Sequence, residues 1–256
     1  MTEVNKKTRK GETLVRITEL MSQKAKNCFD NRGVTIACLG DSVTQGCFDV
    51  FVKLDGQIET IFDQEHAYHS YFKKMLAKLY PNVPINIINA GISGGNASHA
   101  YERLERDVLR YNPDLVIVCF GLNDVVGGIE KLNNYTDALK NIFNDIKKSG
   151  AELIFLTPNM LNTEISPHLY KHEVALETAT IISGLQNEGI MDIYMEAAIK
   201  TCEECGVIVC DCYKKWKAMY KCGVNITELL SNKINHPTEE LNKIFAYSLV
   251  ETIFTN

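Results

Sequence analysis

The chain has 256 residues, of which 45% are hydrophobic and 23% are charged, a composition that excludes a wholly disordered or fibrous protein. Asp and Glu outnumber Lys and Arg by 32 to 27, and the net charge of −5 gives no general attraction to nucleic acid or to an anionic membrane. No apolar run reaches the length of about 18 residues that a membrane-spanning helix needs.

The N-terminal residues and the cysteines bear on the compartment of the protein. The first thirty residues lack the apolar stretch and the small-residue cleavage site of a signal peptide. The chain contains nine cysteines, an odd number, and several of them lie inside apolar runs. Reduced thiols without a visible export signal are typical of a cytoplasmic protein, so we predict a cytoplasmic location.

Five short apolar runs predict parallel strands that are covered by helices on both faces. They are VTIACLG (34–40), INIIN (85–89), LVIVCF (115–120), ELIFLT (152–157) and VIVC (207–210). Apolar residues with helical spacing predict helices over 66–80, around 101–108, over 135–146 and over 238–254. Because strands and helices alternate, we predict an α/β protein, a three-layer α/β/α sandwich around a flavodoxin-like, doubly wound sheet of about five parallel strands.

One insertion, residues 47–65, interrupts this alternation after the first strand. Asp55-Gly56 separates two segments of alternating polarity there, which is a strong signal for a β-hairpin. Such a hairpin would lie beside the carboxyl ends of the strands, where open α/β sheets bind ligands. Three roles stay open for it: a wall of the pocket, a contact between subunits, or a neutral insertion.

Four loops at the predicted carboxyl edge of the sheet carry polar or glycine-rich sequences. They supply a hydroxyl, a flexible glycine backbone, a side-chain amide and an imidazole, and they are GDSVTQG (40–46), AGISGGN (90–96), GLND (121–124) and NHP (235–237). Acyl transfer needs these groups, because it requires a nucleophile, a base that takes its proton, and donors to the tetrahedral oxyanion.

These blocks resemble those of the SGNH (GDSL-type) hydrolases, a family of serine esterases and lipases. They occur in the order of the family, and the resemblance extends over roughly residues 34–254. No linker rich in Gly, Pro or Ser divides the chain. We therefore predict a single SGNH hydrolase domain over 1–256, with a basic, helical N-terminal extension (1–32) and a catalytic core (33–256).

The resemblance implies a role for each matching residue. Ser42 would be the nucleophile, and His236 would be the general base that takes its proton and returns it to the leaving alcohol. The main-chain N–H of Ser42, the N–H of Gly94 and the side-chain amide of Asn123 would form the oxyanion hole. Glycine at 94 would let the backbone approach the ligand oxygen closely. The chemistry needs neither a metal ion nor an organic cofactor.

The sequence departs from the family at the acid that orients the histidine. Family members commonly carry Asp three residues before the histidine, and Lys233 stands at that position here. A lysine cannot accept a proton from the imidazole. We therefore expect a Ser42–His236 dyad that is oriented by Asn232 or by a main-chain oxygen, with a carboxylate from elsewhere, such as Asp211, as a further possibility.

Other polar residues have structural interpretations. Asp41 and Asp124 adjoin the motifs, and we predict that they cap backbone N–H groups. A zinc site is the less favoured interpretation of four clustered cysteines, because regular structure is predicted there: Cys202, Cys205, Cys210 and Cys212. His168 and His172 have the i, i+4 spacing of one helical face, which we predict to be solvated.

The sequence therefore predicts hydrolysis of carboxylic esters through an acyl-serine intermediate. We expect short acyl groups, especially acetyl esters of carbohydrates, because the chain is acidic and shows no amphipathic stretch for a lipid surface. The alternatives are a lysophospholipase or thioesterase with a longer acyl pocket, and a catalytically silent carbohydrate-binding relative. The expected partner is a small-molecule ester, with no nucleic acid and no membrane, and a homo-oligomer is possible.

Overall fold

The computed structural model describes residues 16–53 and 58–255. Within these ranges the strands, in chain order, are β1 (Val34–Gly40), β2 (Cys47–Val52), β3 (Ile58–Phe62), β4 (Ile85–Gly91), β5 (Leu115–Cys119), β6 (Glu152–Leu156) and β7 (Ile208–Cys210). The helices are α1 (Arg16–Lys26), α2 (Ser42–Gln45), α3 (Tyr68–Leu79), α4 (Ala97–Glu102), α5 (Leu104–Asp107), α6 (Leu132–Ser149), α7 (Glu173–Asn187), α8 (Ile190–Cys205), α9 (Cys212–Lys221) and α10 (Glu239–Thr255).

The central sheet confirms the predicted fold. Its five strands are parallel and lie in the order β4-β1-β5-β6-β7, which is the flavodoxin-like order 2-1-3-4-5 when only these strands are counted. Two groups of helices cover the sheet: α3 packs on α10 in one, and α6 packs on α4 and α8 in the other. β1 pairs with β4 on one side and with β5 on the other, so the loops that follow these three strands are neighbours.

The predicted helices are found, with one difference. The stretch around 101–108 is broken into α4 and α5 at Arg103, which ends the first helix and precedes the second. Arg103 is buried, and its guanidinium donates to the carbonyl oxygens of Ala90 (2.7 Å) and Gly40 (3.0 Å). The apolar spacing marked a helical face correctly, but it carries no information about this inward-pointing cation.

The predicted hairpin is present as the antiparallel pair β2–β3, which forms a separate two-stranded sheet. The Asp55-Gly56 turn lies outside the described residues. The base of the hairpin is buried at Cys47 and Phe48, whereas Ile61 and Phe62 on the second strand are each 45% exposed.

The described part of the N-terminal extension is packed into the core. Ile17 and Met21 of α1 have no exposed surface, and the main-chain N–H groups of Arg16 and Ile17 donate to the carboxylate of Glu152. This helix is therefore continuous with the core that was expected to begin at residue 33. Among the described residues, no helix has both the length and the apolar character needed to span a bilayer.

Candidate active site

Ser42 is the first residue of α2, a single helical turn that directly follows β1. The side chain of Asp41 accepts the Val43 N–H (3.0 Å) and caps the turn, as predicted for this aspartate. Tight packing explains the glycines beneath it. A Cβ on Gly40 would lie 2.0 Å from the Thr44 hydroxyl oxygen, and one on Gly91 would lie 2.2 Å from the Gln45 nitrogen. The turn therefore rests directly on the ends of β1 and β4.

Ser42 and His236 are in contact. The distance between Ser42 Oγ and His236 Nε2 is 2.8 Å, although 194 positions separate the two residues in the chain. Both side chains are buried, with 3% and 4% of their surface exposed. His236 lies in the loop before α10, and the structure thus brings the predicted nucleophile and the predicted base within hydrogen-bond distance.

The amide of Asn232 shapes the histidine loop instead of touching the ring. Its oxygen accepts the main-chain N–H groups of Ile234, Asn235 and His236, each at 3.0 Å, and its nitrogen donates to the side chain of Asn235. An oxygen with three backbone donors is occupied. Asn232 therefore positions the backbone of His236, and it does not orient the imidazole as the sequence had suggested.

The other side-chain candidates for orienting the ring are also engaged elsewhere. Lys233 adopts a left-handed backbone (φ 60°), and its ammonium group pairs with Glu228 at 2.8 Å. Asp211 caps α9 by accepting the Lys214 N–H (3.0 Å), and it accepts the Thr157 hydroxyl (3.1 Å). Neither side chain has the ring of His236 among its partners.

The second ring nitrogen of His236, Nδ1, is buried and has no hydrogen-bond partner within the described residues. Burial lowers the pKa of His236 to about 4, and the opposing effect of the Phe48 carbonyl, which raises this pKa, is smaller. The imidazole is therefore neutral at pH 7, the state that a general base requires.

Gly94 lies in an exposed turn beside the nucleophile. Its φ of +73° is left-handed, and a Cβ added there would meet no protein atom within 4 Å. The left-handed backbone conformation by itself favours glycine here, and the close approach to a ligand oxygen stays a prediction. The Ile92 N–H donates to Gly40 O (3.1 Å) and the Ser93 N–H donates to Gln45 Oε1 (2.6 Å), which fixes this turn against α2.

Asn123 is joined to the same turn. Its amide nitrogen donates one hydrogen to the carbonyl oxygen of Gly95 (2.8 Å), so a second N–H remains. The main-chain N–H groups of Ser42 and Gly94 have no acceptor among residues 16–53 and 58–255. The three predicted oxyanion donors thus belong to loops that are bonded to one another, and each has a hydrogen available for a ligand.

Sequence reasoning missed Gln45 and Arg103. Gln45 links the nucleophile turn to Ser93 through its side chain and to Asn89 through its carbonyl oxygen (3.2 Å). Its place inside the GDSVTQG block was a usable signal. Arg103 bonds the strand ends that precede the nucleophile and the Gly94 turn, and nothing in the local sequence pattern indicates that role.

Two buried carboxyl groups lie next to the site residues. Burial raises the pKa of Asp41 to about 7 and that of Asp124 to about 6, and the charge of Asp124 further raises that of Asp41. Each has one carboxylate oxygen without a partner in the described part of the chain. Asp124 accepts the N–H of Ala97 (2.9 Å), the first residue of α4, so it caps a backbone N–H group as predicted, although not one of its own turn.

These two carboxyl groups should make the protein less stable as the pH rises from about 4 to 7. The folded-state pKa values lie above the usual value near 3.8, so the folded protein binds more protons than the unfolded chain in this range. For Asp124 alone the difference corresponds to at most about 3 kcal/mol. Asp124→Asn keeps an acceptor for Ala97 and should flatten the dependence of Tm on pH between 4.5 and 8. Asp137→Asn, at an exposed position, is the control. If Asp124→Asn has the same dependence of Tm on pH as this control, the raised pKa of Asp124 is contradicted.

The four clustered cysteines lie in regular structure, as predicted, and zinc binding there stays the less favoured interpretation. Cys202 and Cys205 lie in the last turn of α8, Cys210 ends β7 and Cys212 begins α9. Among the described residues, one group of ligating side chains converges: Asp63, His66 and Glu239, all partly exposed. In it, His66 Nδ1 lies 2.6 Å from Asp63 Oδ2, and this contact raises the pKa of His66, so the group is an ordinary surface ion pair.

The prediction that His168 and His172 lie on one helical face is wrong. His168 lies in a short 3-10 turn (Pro167–Leu169), and His172 precedes α7, so the two do not share a helical face. Pro167 begins that turn, and the helix starts only at Glu173. Both histidines are exposed, as predicted.

The chain is similar to known proteins in sequence and in structure. The model of the GDSL-like lipase/acylhydrolase family matches residues 38–244, which include Ser42, Gly94, Asn123 and His236. An acetylxylan esterase of Geobacillus stearothermophilus is 27% identical over 135 residues. That segment is 49% of this chain, and it spans only 60% of the length of the esterase.

Solved structures share the fold. A structure of the acetylxylan esterase of G. stearothermophilus has a TM-score of 0.62 at 21% identity and covers 87% of this chain and 94% of its own. An α/β hydrolase from the metagenome of Lake Arreo, Spain, has a TM-score of 0.64 at 20% identity and covers 88% and 96%. Catalytic mutants of the Geobacillus enzyme have been solved at a serine, an aspartate and a histidine three positions after that aspartate.

Proposed function

The chain belongs to the GDSL-like lipase/acylhydrolase family, and from this premise we propose that it is a serine esterase that hydrolyses carboxylic esters. Ser42 is the nucleophile, and His236 is the general base. The observation that carries the proposal is the 2.8 Å contact between the buried Ser42 Oγ and Nε2 of a histidine that burial keeps neutral. A hydroxyl becomes a useful nucleophile at neutral pH when such a base takes its proton.

The first half of the reaction forms the acyl-enzyme. Ser42 Oγ attacks the carbonyl carbon of the ester while its proton passes to Nε2 of His236, and the carbonyl oxygen becomes an oxyanion. The N–H groups of Ser42 and Gly94 and the free N–H of Asn123 donate to this oxyanion. The intermediate collapses, the bond to the leaving alcohol breaks, and the proton on Nε2 passes to the alcohol oxygen.

The second half releases the acid. Water attacks the acyl-serine while His236 takes one of its protons, and the same three donors hold the second oxyanion. Collapse breaks the bond to Ser42 Oγ, which recovers its proton from Nε2. Removal of one oxyanion donor typically costs about 10² to 10³ in turnover, so the loops that hold these donors contribute much of the rate.

The substrate that we propose is a short-chain ester, especially an acetyl ester on a carbohydrate. The acetylxylan esterase similar to this chain supports an acetylated sugar. The acidic net charge and the lack of an amphipathic, lysine-rich segment argue against a lipid surface.

An ester panel tests the substrate class. We expect p-nitrophenyl acetate to be turned over at least tenfold faster, in kcat/KM, than p-nitrophenyl octanoate, and acetylated xylo-oligosaccharide to release acetate. Ser42→Ala provides the background rate for each substrate. Faster turnover of the octanoate, of a lysophospholipid or of a long-chain acyl thioester would contradict the short-chain proposal and favour the longer acyl pocket.

We also propose a cytoplasmic location and a small-molecule ester as the partner. All nine cysteines are free thiols in the structure, and six of them are buried. Free thiols in this number support a reducing compartment. A homo-oligomer, with the exposed strand of the hairpin as one possible contact, stays a prediction that sedimentation would test.

A further inference from the structure

The base of the β2–β3 hairpin is bonded to both segments of the proposed dyad. On the nucleophile side, the Asp63 N–H donates to the carbonyl oxygen of Gly46 (2.7 Å), the residue that follows α2. On the histidine side, the Ser231 hydroxyl donates to the carbonyl oxygen of Phe48, and the Ser231 N–H donates to the carbonyl oxygen of His236 (2.7 Å). The hairpin thus connects the two segments across the site.

Further contacts hold this base in place. Gly46 has a left-handed φ of 91°, and a Cβ there would lie 3.1 Å from main-chain atoms of Asp63 and Gln64. At the end of the hairpin, the ion pair of Asp63 with His66 adjoins Glu239 at the start of α10. Phe48 itself is 8% exposed. The carbonyl of Phe48 is therefore a fixed group of the site.

Nδ1 of His236 is a buried polar atom that needs an acceptor when the ring is protonated during the reaction. The amide of Asn232, the ammonium of Lys233 and the carboxylate of Asp211 are committed to other partners. An unpaired buried N–H on an imidazolium would cost free energy. Hydrogen bonding to the Phe48 main chain raises the pKa of His236, and Ser231 bonds to both the Phe48 carbonyl oxygen and the His236 carbonyl oxygen.

We propose that the Phe48 main-chain carbonyl, carried into the site by the hairpin insertion, accepts the Nδ1–H of His236 and replaces the carboxylate of a triad in positioning the base. The inference rests on the proposed function, because it assigns the orienting group of the same dyad. Ser231 acts through this carbonyl as a positioning residue.

A carbonyl performs one of the two tasks of the missing aspartate. It accepts the Nδ1–H, so it selects the tautomer whose Nε2 lone pair points at Ser42 Oγ, but it brings no negative charge to stabilise the imidazolium. In a serine protease, Asn in place of the triad Asp costs about 10⁴ because the tautomer is wrong, and a carbonyl avoids that loss. Among the described residues of the free protein Nδ1 has no hydrogen-bond partner, and catalytic hydrogen bonds often tighten only with substrate bound.

The test first measures the tautomer of the His236 ring and then changes the residue that holds the Phe48 carbonyl. ¹⁵N NMR of histidine-labelled protein, with the His236 signal identified by its loss in His236→Gln, should show the Nδ1–H tautomer in the wild type at pH 7. Ser231→Ala removes the hydroxyl that holds the Phe48 carbonyl. We expect it to lower kcat about tenfold with KM within twofold, since about one hydrogen bond is lost, and to increase the fraction of the Nε2–H tautomer.

Two further variants make the test specific. Ser231→Thr keeps a hydroxyl and should restore most of kcat and of the wild-type spectrum. Ser70→Ala removes a comparable hydroxyl-to-carbonyl bond, from Ser70 to Gln64 (2.6 Å), away from the dyad, and should change neither quantity.

A wild-type Nε2–H tautomer, or a Ser231→Ala enzyme with the kcat of Ser70→Ala, would overturn the proposal. The NMR measurement needs no substrate, so it decides the question even if Ser231→Ala does not fold. An inactive wild type with the Nδ1–H tautomer would instead count against the proposed function alone.

Discussion

Ser42→Ala should lose ester hydrolysis by about 10⁴-fold or more and should lose labelling by a fluorophosphonate completely. The hydroxyl is the atom that forms the covalent intermediate, and loss of the nucleophile alone costs up to about 10⁶ in a serine protease. A smaller loss is expected here because the dyad has no carboxylate partner. The measurement is kcat/KM for p-nitrophenyl acetate together with mass spectrometry of the labelled protein.

The control for this variant is Ser93→Ala. Ser93 lies in the exposed turn next to Gly94, and its main-chain N–H, which the substitution keeps, makes the bond to Gln45. It should be labelled like the wild type and keep most of its activity. A folded wild-type protein that is neither labelled nor active would favour the carbohydrate-binding relative over the esterase.

His236→Ala should reduce kcat/KM by about 10⁴-fold or more, because no other described group takes the proton of Ser42 Oγ. In the wild type, activity should persist as the pH falls and be lost only as it passes the His236 pKa of about 4, below the usual histidine value near 6.5. Activity is lost on the acid side because His236 can act as a base only when its ring is neutral. An acid limb near pH 6 to 7 that moves in Asp124→Asn would assign the titration to the buried carboxyl groups instead.

His69 provides a matched control for His236. It is equally buried, burial lowers its pKa to about 4 as well, and its Nε2 lies 3.1 Å from the carbonyl oxygen of Thr44, in the same turn as Ser42. His69→Gln keeps a donor for that carbonyl and should retain activity within about tenfold. Equal losses in the two histidine variants, with equal losses of Tm, would indicate a packing effect and contradict the base assignment.

The fold was predictable because its signals are local. Five apolar runs give the five strands of the sheet within two residues at each end, and helical spacing gives α3, α6 and α10. Burial on both faces requires continuous apolar strands, and right-handed crossovers then restrict the topology. The burial of Arg103 at the helix break was not predictable, because its guanidinium bonds to strand ends distant in sequence.

The candidate site could be proposed from the sequence as a set of residues and not as an arrangement. Ser42, Gly94, Asn123 and His236 follow from the motifs, each of which lies at an element boundary. The partner of the histidine ring did not follow, because a main-chain oxygen can come from any residue. Asn232 looked suitable from its position, yet its amide is taken by the backbone of its own loop.

The sequence by itself determined the order of the elements, the family and the chemical groups at the carboxyl edge of the sheet, since these depend on residue type and short-range spacing. Only the tertiary structure decided that Phe48 of an inserted hairpin bonds to Ser231, which also bonds to the His236 main chain, and that Gln45 and Arg103 hold the neighbouring loops. Those contacts join residues far apart in the chain, and they arise from packing that no local pattern encodes.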